Sequence, residues 1–343
     1  MDGNDLLQLG FRPGKALGLA LQAAQAAVDA GASQEDALSD LAEVLGAPAD
    51  YLDDPVYGRV AEALAAFERH RERTAGYDLN TPAPYKVWGA EEIEPGALEQ
   101  MKRAVRLPVA VRGALMPDAH QGYGLPIGGV LATDNSVIPY AVGVDIACRM
   151  RMTVFNASPQ ILDQGRDRFR TVLEEQTRFG AGSEWEVPRE HEVLDDPAWA
   201  THPVASRFRD IARRQLGSSG SGNHFVEFGA LQVHATIDSP QGTIPPGTYL
   251  ALLSHSGSRR FGLEMAEHYT KVAMRQRATL PKDFQHLAWL DLDDEAGAEY
   301  WEAMTLAGKY ASANHAVIHR QIVDVMRIPV LGGIENHHNF AWK

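Results

Sequence analysis

Met116-Pro-Asp-Ala-His-Gln-Gly-Tyr-Gly-Leu-Pro-Ile-Gly-Gly129 and, soon after it, Gly143-Val-Asp-Ile-Ala-Cys148 set the character of this 343-residue chain. Both place side chains that can hold a metal or a phosphate beside glycines, where backbone can approach a ligand closely. Three later segments repeat the pattern: Gly220-Ser-Gly-Asn-His-Phe-Val-Glu227, Ser254-His-Ser-Gly-Ser-Arg259 and Glu335-Asn-His-His-Asn-Phe340. Asp145 and Cys148 stand three apart after a strand-like run, so a turn there can aim both at one ion. A thiolate can also bridge two ions. His224, His255 and His338 lie beside glycine or polar turn residues, not in an apolar stripe. A single histidine in such a place is more often a satisfied core or surface residue; their joint occurrence points to a mono- or di-metal site. Cys and His favour Zn²⁺, whereas the carboxylate and water suit Mn²⁺.

Outward from these segments, the texture divides the chain. Residues 14–30 are Ala-rich with apolar residues at helical spacing. Ser33 with Asp36 reads as a capping box opening a second helix through Leu45. A third helical pattern runs from Val56 to Arg73. The expected organisation is a helical N-terminal unit over 1–75, a linker over 76–83 and a core over 84–343. In the core, short β-branched runs (VRLPVAVRGALMP, LPIGGVLATD, MRMTVF, HFVEFG, LQVHATI, TYLALLSHSG) alternate with glycine turns and read as strands. Helices are expected at 159–178, 203–215, 262–278 and 296–323. The fold class is α+β with mixed sheets, with no clean βαβ repeat and no solenoid period.

Bulk properties narrow the classes. The net charge of −13 counts against broad binding to phosphate backbones. Arginines nevertheless cluster: Arg149 and Arg151; Arg207, Arg209, Arg213 and Arg214; Arg259 and Arg260. Cys148 is the one cysteine, so no intramolecular disulfide forms, which suits a reducing compartment. No apolar run approaches the roughly 20 residues of a membrane span, and the N-terminus lacks the basic and apolar regions of a signal peptide. The expectation is a cytoplasmic protein with no membrane partner. Walker A, GxGxxG, HExxH and Gly-x-Ser-x-Gly patterns are absent in context, as is the Lys-x-Asp-Gly of the lysine-nucleotidyl ligases.

The segments MPDAHQGYGLPIGGV, GVDIAC, GSGNHFVE, HSGSR and HHNFA resemble, in order and rough spacing, the signatures of the RtcB family of RNA-splicing ligases. The resemblance covers the chain from about Pro84. It implies an RtcB-like mixed-sheet core and a ligase that joins an RNA 3′-phosphate, or a 2′,3′-cyclic phosphate after opening it, to a 5′-hydroxyl. It implies two Mn²⁺ ions, with Zn²⁺ as a substitute, and GTP, which guanylylates a histidine before the guanylate passes to the RNA. By motif, Asp145, Cys148, His224, His255 and His338 match the metal ligands, with Cys148 bridging. Asn223, Glu227 and Asn339 match positions near the guanylate or its phosphate. Some family members use a helper protein for guanylylation.

This sequence departs from the family pattern in four places, as a divergent branch would. Asp145-Ile-Ala-Cys-Arg149 replaces Asp-Ile-Asn-Cys-Gly, Ile138-Pro-Tyr-Ala141 replaces Ser-Pro-Gly-Gly, and Arg260 stands where glycine is common. The family's guanylylated histidine lies downstream of the HHN segment, and no histidine follows His338 here. The expectation is a core that lacks its C-terminal nucleophile segment, with His337 the one substitute nucleophile to test. Asp118, His120, Arg149 and Arg259 are possible substrate contacts. His315 and His319 have the four-residue spacing of paired ligands on a helix, but that helix reads as structural. Trp185, Trp199, Trp289 and Trp301 read as core or interface anchors. Two other functions fit the same residues: a metal phosphoesterase or cyclic-phosphate hydrolase that activates water, and a non-catalytic RNA- or protein-binding paralogue.

Overall fold

The computed structural model describes residues 2–75, 77–240 and 242–343, and the side chains of all of these but 69–75. Met1 and Gly76, the first residue of the expected linker, lie outside the described residues. Contacts group the chain into two compact units, Met1–Ala141 with Tyr269–Trp301, and Val142–His268 with Glu302–Lys343. Strands are numbered below in chain order.

The first unit opens with helices Gly3–Leu9, Lys15–Asp29, Gln34–Gly46 and Gly58–Ala75. Their apolar faces close over a shared core of Leu6, Phe11, Ala20, Leu41, Val44 and Val60. The capping box is present as read. The Ser33 hydroxyl accepts from the Asp36 N–H at 3.1 Å, and the Asp36 carboxylate accepts from the Ser33 N–H at 3.3 Å. Residues 77–83 carry no helix or strand, but they are packed: Leu79 is buried, and the Tyr77 ring meets Trp289 edge-on at 5.6 Å. Residues 77–141 group with the N-terminal helices and not with the rest of the expected 84–343 core. Strands β1 (Tyr85–Val87), β2 (Ala110–His120) and β3 (Ile127–Thr133) form one sheet, parallel between β1 and β2 and antiparallel between β2 and β3. The helix Pro95–Ala104 belongs to its core through Ala97 and Met101, beside Val105 and Leu115. Strands β4 (Ser136–Val137) and β12 (Leu290–Asp291) pair separately.

The second unit is built on an antiparallel sheet in the order β13–β5–β11–β8, with β5 at Arg149–Phe155, β8 at Phe225–Val233, β11 at Gly247–Ser256 and β13 at Val330–His337. The expected strand HFVEFG and the first three residues of LQVHATI are one element, because β8 pairs with β11 without a break from Phe225 to Val233, and the strand ends there. The sheet's core contains Phe155, Val226, Leu250 and Leu252 together with Ile318 and Ile322 of the helix Glu295–Met326. Two short pairs complete it: β6 (Arg178–Phe179) beside β7 (Ser218–Gly220), and β9 (Ile237–Ser239) beside β10 (Gly242–Ile244). The helix expected over 159–178 is two, Ile161–Gln164 and Arg166–Gln176. Gly165 separates them at φ −130° and ψ 28°, outside the helical region. The helix expected over 203–215 starts as a 3₁₀ turn, Ala205–Phe208, before Arg209–Gln215. No described helix is long and apolar enough to cross a membrane.

Ser33→Ala removes the cap hydroxyl and should lower stability by about 1 kcal/mol, whereas Ser33→Asp should keep most of it; thermal melting of both variants checks this.

Candidate metal centre

Four of the five glycine-rich segments converge in the second unit. Asp145 and Cys148 come from the turn that leads into β5. His224 precedes β8, His255 sits near the end of β11, and His338 follows β13. Antiparallel register places His255 opposite both Met150 and Phe225, so neighbouring strand ends deliver their ligands to one end of the sheet.

The donor atoms fall into two sets that share the thiol. Cys148, His255 and His338 form one; Asp145, Cys148 and His224 form the other. Within each, the atoms lie within 4.8 Å of one another. The Cys148 Sγ is 3.4 Å from His224 Nε2 and 3.1 Å from His255 Nε2, and the latter is 3.3 Å from His338 Nε2.

Backbone carbonyls decide which way two of these rings face. His224 Nδ1 lies 3.1 Å from the Ser219 carbonyl, and His255 Nδ1 lies 3.0 Å from the Asn223 carbonyl. A carbonyl only accepts, so each Nδ1 carries a proton and each ring turns its Nε2 toward the cluster. Asp145 Oδ2 shows the result. It is buried 2.8 Å from His224 Nε2. Lone pairs meeting at that distance need a proton or a cation between them. The carboxylate's other oxygen accepts from the Ser258 N–H at 3.1 Å, a contact that depends on Gly257, where any Cβ would strike the carboxylate.

Burial pushes the Asp145 carboxyl up, but His224, Cys148 and Arg259 more than offset it, so it is held below the usual carboxylate range. Burial raises the Cys148 thiol, and the Asp145 charge raises it further. Burial lowers His255 and His338, keeping both rings neutral and able to coordinate. A thiol with two imidazoles in one set, and a thiol with an imidazole and a carboxylate in the other, each fit a divalent cation. Three non-glycine residues beside these ligands adopt left-handed backbone: Ala147 (φ 57°), Arg259 (φ 56°) and Asn339 (φ 56°). For Ala147 this costs about 1–2 kcal/mol. The conformation is held by the Ala147 N–H donating to the Asn339 carbonyl at 2.8 Å and the His338 N–H to the Cys148 carbonyl at 2.9 Å.

The other residues singled out from the sequence divide by position. Asn339 Nδ2 donates to the Asp145 carbonyl at 3.4 Å. Asn223 and Glu227 are exposed, before and within β8. The Arg259 Nε donates to Ser218 Oγ at 3.1 Å, and its guanidinium packs over Gly220. Arg149 is buried and committed elsewhere: it pairs with Glu335 at 2.7 Å and donates to the Gly308 carbonyl at 3.1 Å, while Arg151 takes the other Glu335 oxygen at 2.9 Å. The His337 ring packs against Phe340 and Trp342, with centroids 5.0 and 5.5 Å away, and is in neither donor set. Asp118 and His120 stand exposed on β2 in the first unit, where His120 Nδ1 lies 3.0 Å from the Asp118 carbonyl.

His315 and His319 are no ligands. They belong to a buried relay against β11. His315 Nε2 is 3.1 Å from the Ser256 carbonyl, so that nitrogen donates and Nδ1 accepts from the Ser254 hydroxyl at 2.6 Å. Ser254 has then used its one proton, so it accepts from His319 Nε2 at 2.7 Å, and His319 Nδ1 accepts from the Thr153 hydroxyl at 2.7 Å. The two serines flank His255. Their helical spacing was legible in the sequence; that the second partner would be strand hydroxyls was not.

A family profile described as "RtcB: tRNA-splicing ligase RtcB" matches residues 100–343. An RNA-splicing ligase RtcB homolog 1 of Entamoeba dispar is 27% identical over 263 residues, spanning 65% of this chain and 48% of that protein. A tRNA-splicing ligase RtcB of Thermococcus kodakarensis is 28% identical over 298 residues, spanning 74% and 61%. An RNA-splicing ligase RtcB of Escherichia coli is 26% identical over 300 residues, spanning 78% and 70%. The chain thus spans about half the length of the amoebal relative and less than two thirds of the archaeal one.

Burial fixes the relay in its neutral form, outweighing the Ser256 carbonyl, which by itself would raise His315. Desolvation lowers His315 to about 4 and His319 well below the ordinary histidine range. The unfolded rings take up protons near pH 6.5 that the folded rings refuse, so stability falls as pH drops from 6.5 toward 4. Replacing both, His315→Gln with His319→Gln, should flatten that part of the pH–stability curve relative to the unmodified chain, as read by denaturant unfolding at several pH values.

Proposed function

From the fact that this chain belongs to the RtcB family, we propose that it is the metal-binding core of an RNA ligase that uses GTP and Mn²⁺ to join RNA 3′-phosphate or 2′,3′-cyclic phosphate ends to 5′-hydroxyl ends, in RNA repair or tRNA splicing. RNA and GTP are its partners in this reading, with two Mn²⁺ ions as cofactors and Zn²⁺ as a substitute. The observation that carries it is the pair of three-donor sets joined by one thiol, which suits transfer chemistry at a phosphorus centre.

Cations bound there would neutralise non-bridging phosphate oxygens and align attacking and leaving groups. The protein's own groups do the rest. The Ser219 and Asn223 carbonyls hold the His224 and His255 rings with Nε2 inward. Ser258 and Gly257 fix the Asp145 carboxylate. Arg259, whose charge is felt at Asp145, would in this reading hold two phosphate oxygens with its guanidinium edge. Asn223 and Asn339, each next to a ligand histidine, offer amide N–H groups to the same phosphate. Arg149, bound to Glu335 and Gly308, serves better as a brace between β5 and β13 than as a substrate contact.

Two measurements test the reading. Titration followed by elemental analysis should give two Mn²⁺ per chain, none in Cys148→Ala, and one in either His224→Ala or His338→Ala. Intact mass after incubation with Mn²⁺ and GTP tests His337 as nucleophile: a gain of one GMP that disappears in His337→Ala would assign it, whereas two bound Mn²⁺ without a gain is the outcome expected of a metal-binding core that lacks the guanylylated histidine. Opening of a cyclic phosphate to a monoester without GTP and without an adduct would instead establish the hydrolase and sink the ligase.

A further inference from the structure

The second unit holds a cavity of about 370 Å³ lined by Arg178, Glu184, Trp185, Glu186, Val187 and Arg189. Its lining includes the Trp185 indole, which is buried and fixed by its N–H donating to the Gly217 carbonyl at 3.2 Å. The Arg178 and Arg189 guanidinium carbons each lie 4.0 Å from the ring centroid. Two guanidiniums at that height cannot share one face, so they sandwich the indole. Stacking holds each guanidinium flat and leaves its edge able to bond outward.

These two cations are poorly neutralised. Arg178 donates to the Glu174 carbonyl at a long 3.4 Å. Arg189 Nε donates at 2.9 Å to the Gln321 carboxamide oxygen, in the orientation that also lets that amide donate to the Gln176 carbonyl. Neither forms an ion pair among the described residues, whereas Arg213 and Arg214 each hold a glutamate at 2.6 Å. Glu184 is the partner of Arg214 and so is already committed. Arg189 is held below the ordinary arginine range, first by burial and then by the charge of Arg178. In a chain of net charge −13, two arginines left facing one cavity mark a place for an external anion.

The position of Arg178 narrows the anion. Arg178 lies on β6, in register with Ser218 of β7, and β7 leads through Asn223 directly to His224. We propose that Arg178 and Arg189 form a phosphate-backbone clamp for single-stranded RNA, one strand removed from the segment that carries a metal ligand. The clamp rests on the reading of RNA as the substrate. It contacts phosphates and not bases, so it orders the strand leading to the reacting end without reading its sequence.

The test is fluorescence anisotropy with a 20-nucleotide single-stranded RNA of mixed sequence, ending in a 3′-phosphate, titrated at several KCl concentrations. The double variant Arg178→Ala/Arg189→Ala should bind about tenfold more weakly at low salt. Its slope of log affinity against log salt should be shallower by about 1.4, the loss of two phosphate contacts on a single strand. Arg178→Lys/Arg189→Lys, which keeps the charges, should recover most of the slope, and Glu186→Ala should tighten binding by removing an exposed carboxylate from the cavity. Melting temperature and Mn²⁺ content report whether each variant is folded. Unchanged affinity and slope in a folded double-alanine variant would overturn the clamp, leaving the arginines as a brace for Trp185, while the ligase reading stands. Failure of the unmodified chain to bind the RNA at all would remove both.

Discussion

Everything in the second unit answers to one requirement: several electron-rich atoms must be kept facing one another around the Cys148 thiol. Nε2 of His224, Nε2 of His255 and the Asp145 carboxylate repel one another unless a positive charge lies between them. Their assembly therefore has to be driven by what surrounds them. Two carbonyls fix the tautomers of His224 and His255, and the Ser258 N–H and Gly257 fix the carboxylate. The strands β5, β11 and β13 set the spacing, because a slip of one residue would turn His255 to the opposite face. The left-handed Ala147 and Asn339 are part of the same cost, balanced by the two backbone hydrogen bonds that join the Cys148 turn to the end of β13.

The face opposite His255 is arranged differently. Ser254 points to the helix Glu295–Met326 and meets two histidines there. Strand alternation thus places the donor cluster and a fully paired neutral network back to back on adjacent residues. The ion pairs of Glu335 with Arg149 and Arg151 cross-link β13 to β5 at residues directly paired or nearly so. Together they make the sheet's ligand-bearing end rigid, which suits a centre whose donors need sub-ångström placement.

Much of this was legible in the chain. Glycine-rich segments named the donors, helical periodicity located the N-terminal helices, and Ser33 with Asp36 marked a helix start to the residue. What the sequence could not convey was facing. His315 and His319 have the spacing of a ligand pair, yet their nitrogens are consumed by Ser254, Ser256 and Thr153. Arg149 has the chemistry of a phosphate contact, yet Glu335 lies within reach only because β5 and β13 are neighbours, 186 positions apart. Asp118 and His120 share a motif with the donors' glycine-rich pattern but belong to the other compact unit. The stacking of Arg178 and Arg189 on Trp185 left no periodic trace at all, since a loop and a short strand supply the three residues.

The relay against β11 has an evolutionary consequence. Each of its hydroxyls and ring nitrogens is committed in a single direction, from Thr153 through His319, Ser254 and His315 to the Ser256 carbonyl. A change at one position strands a buried polar atom at the next. The four side chains therefore behave as one heritable character: lineages would replace them together, as an apolar block or another complete network, and mixed intermediates would be selected against.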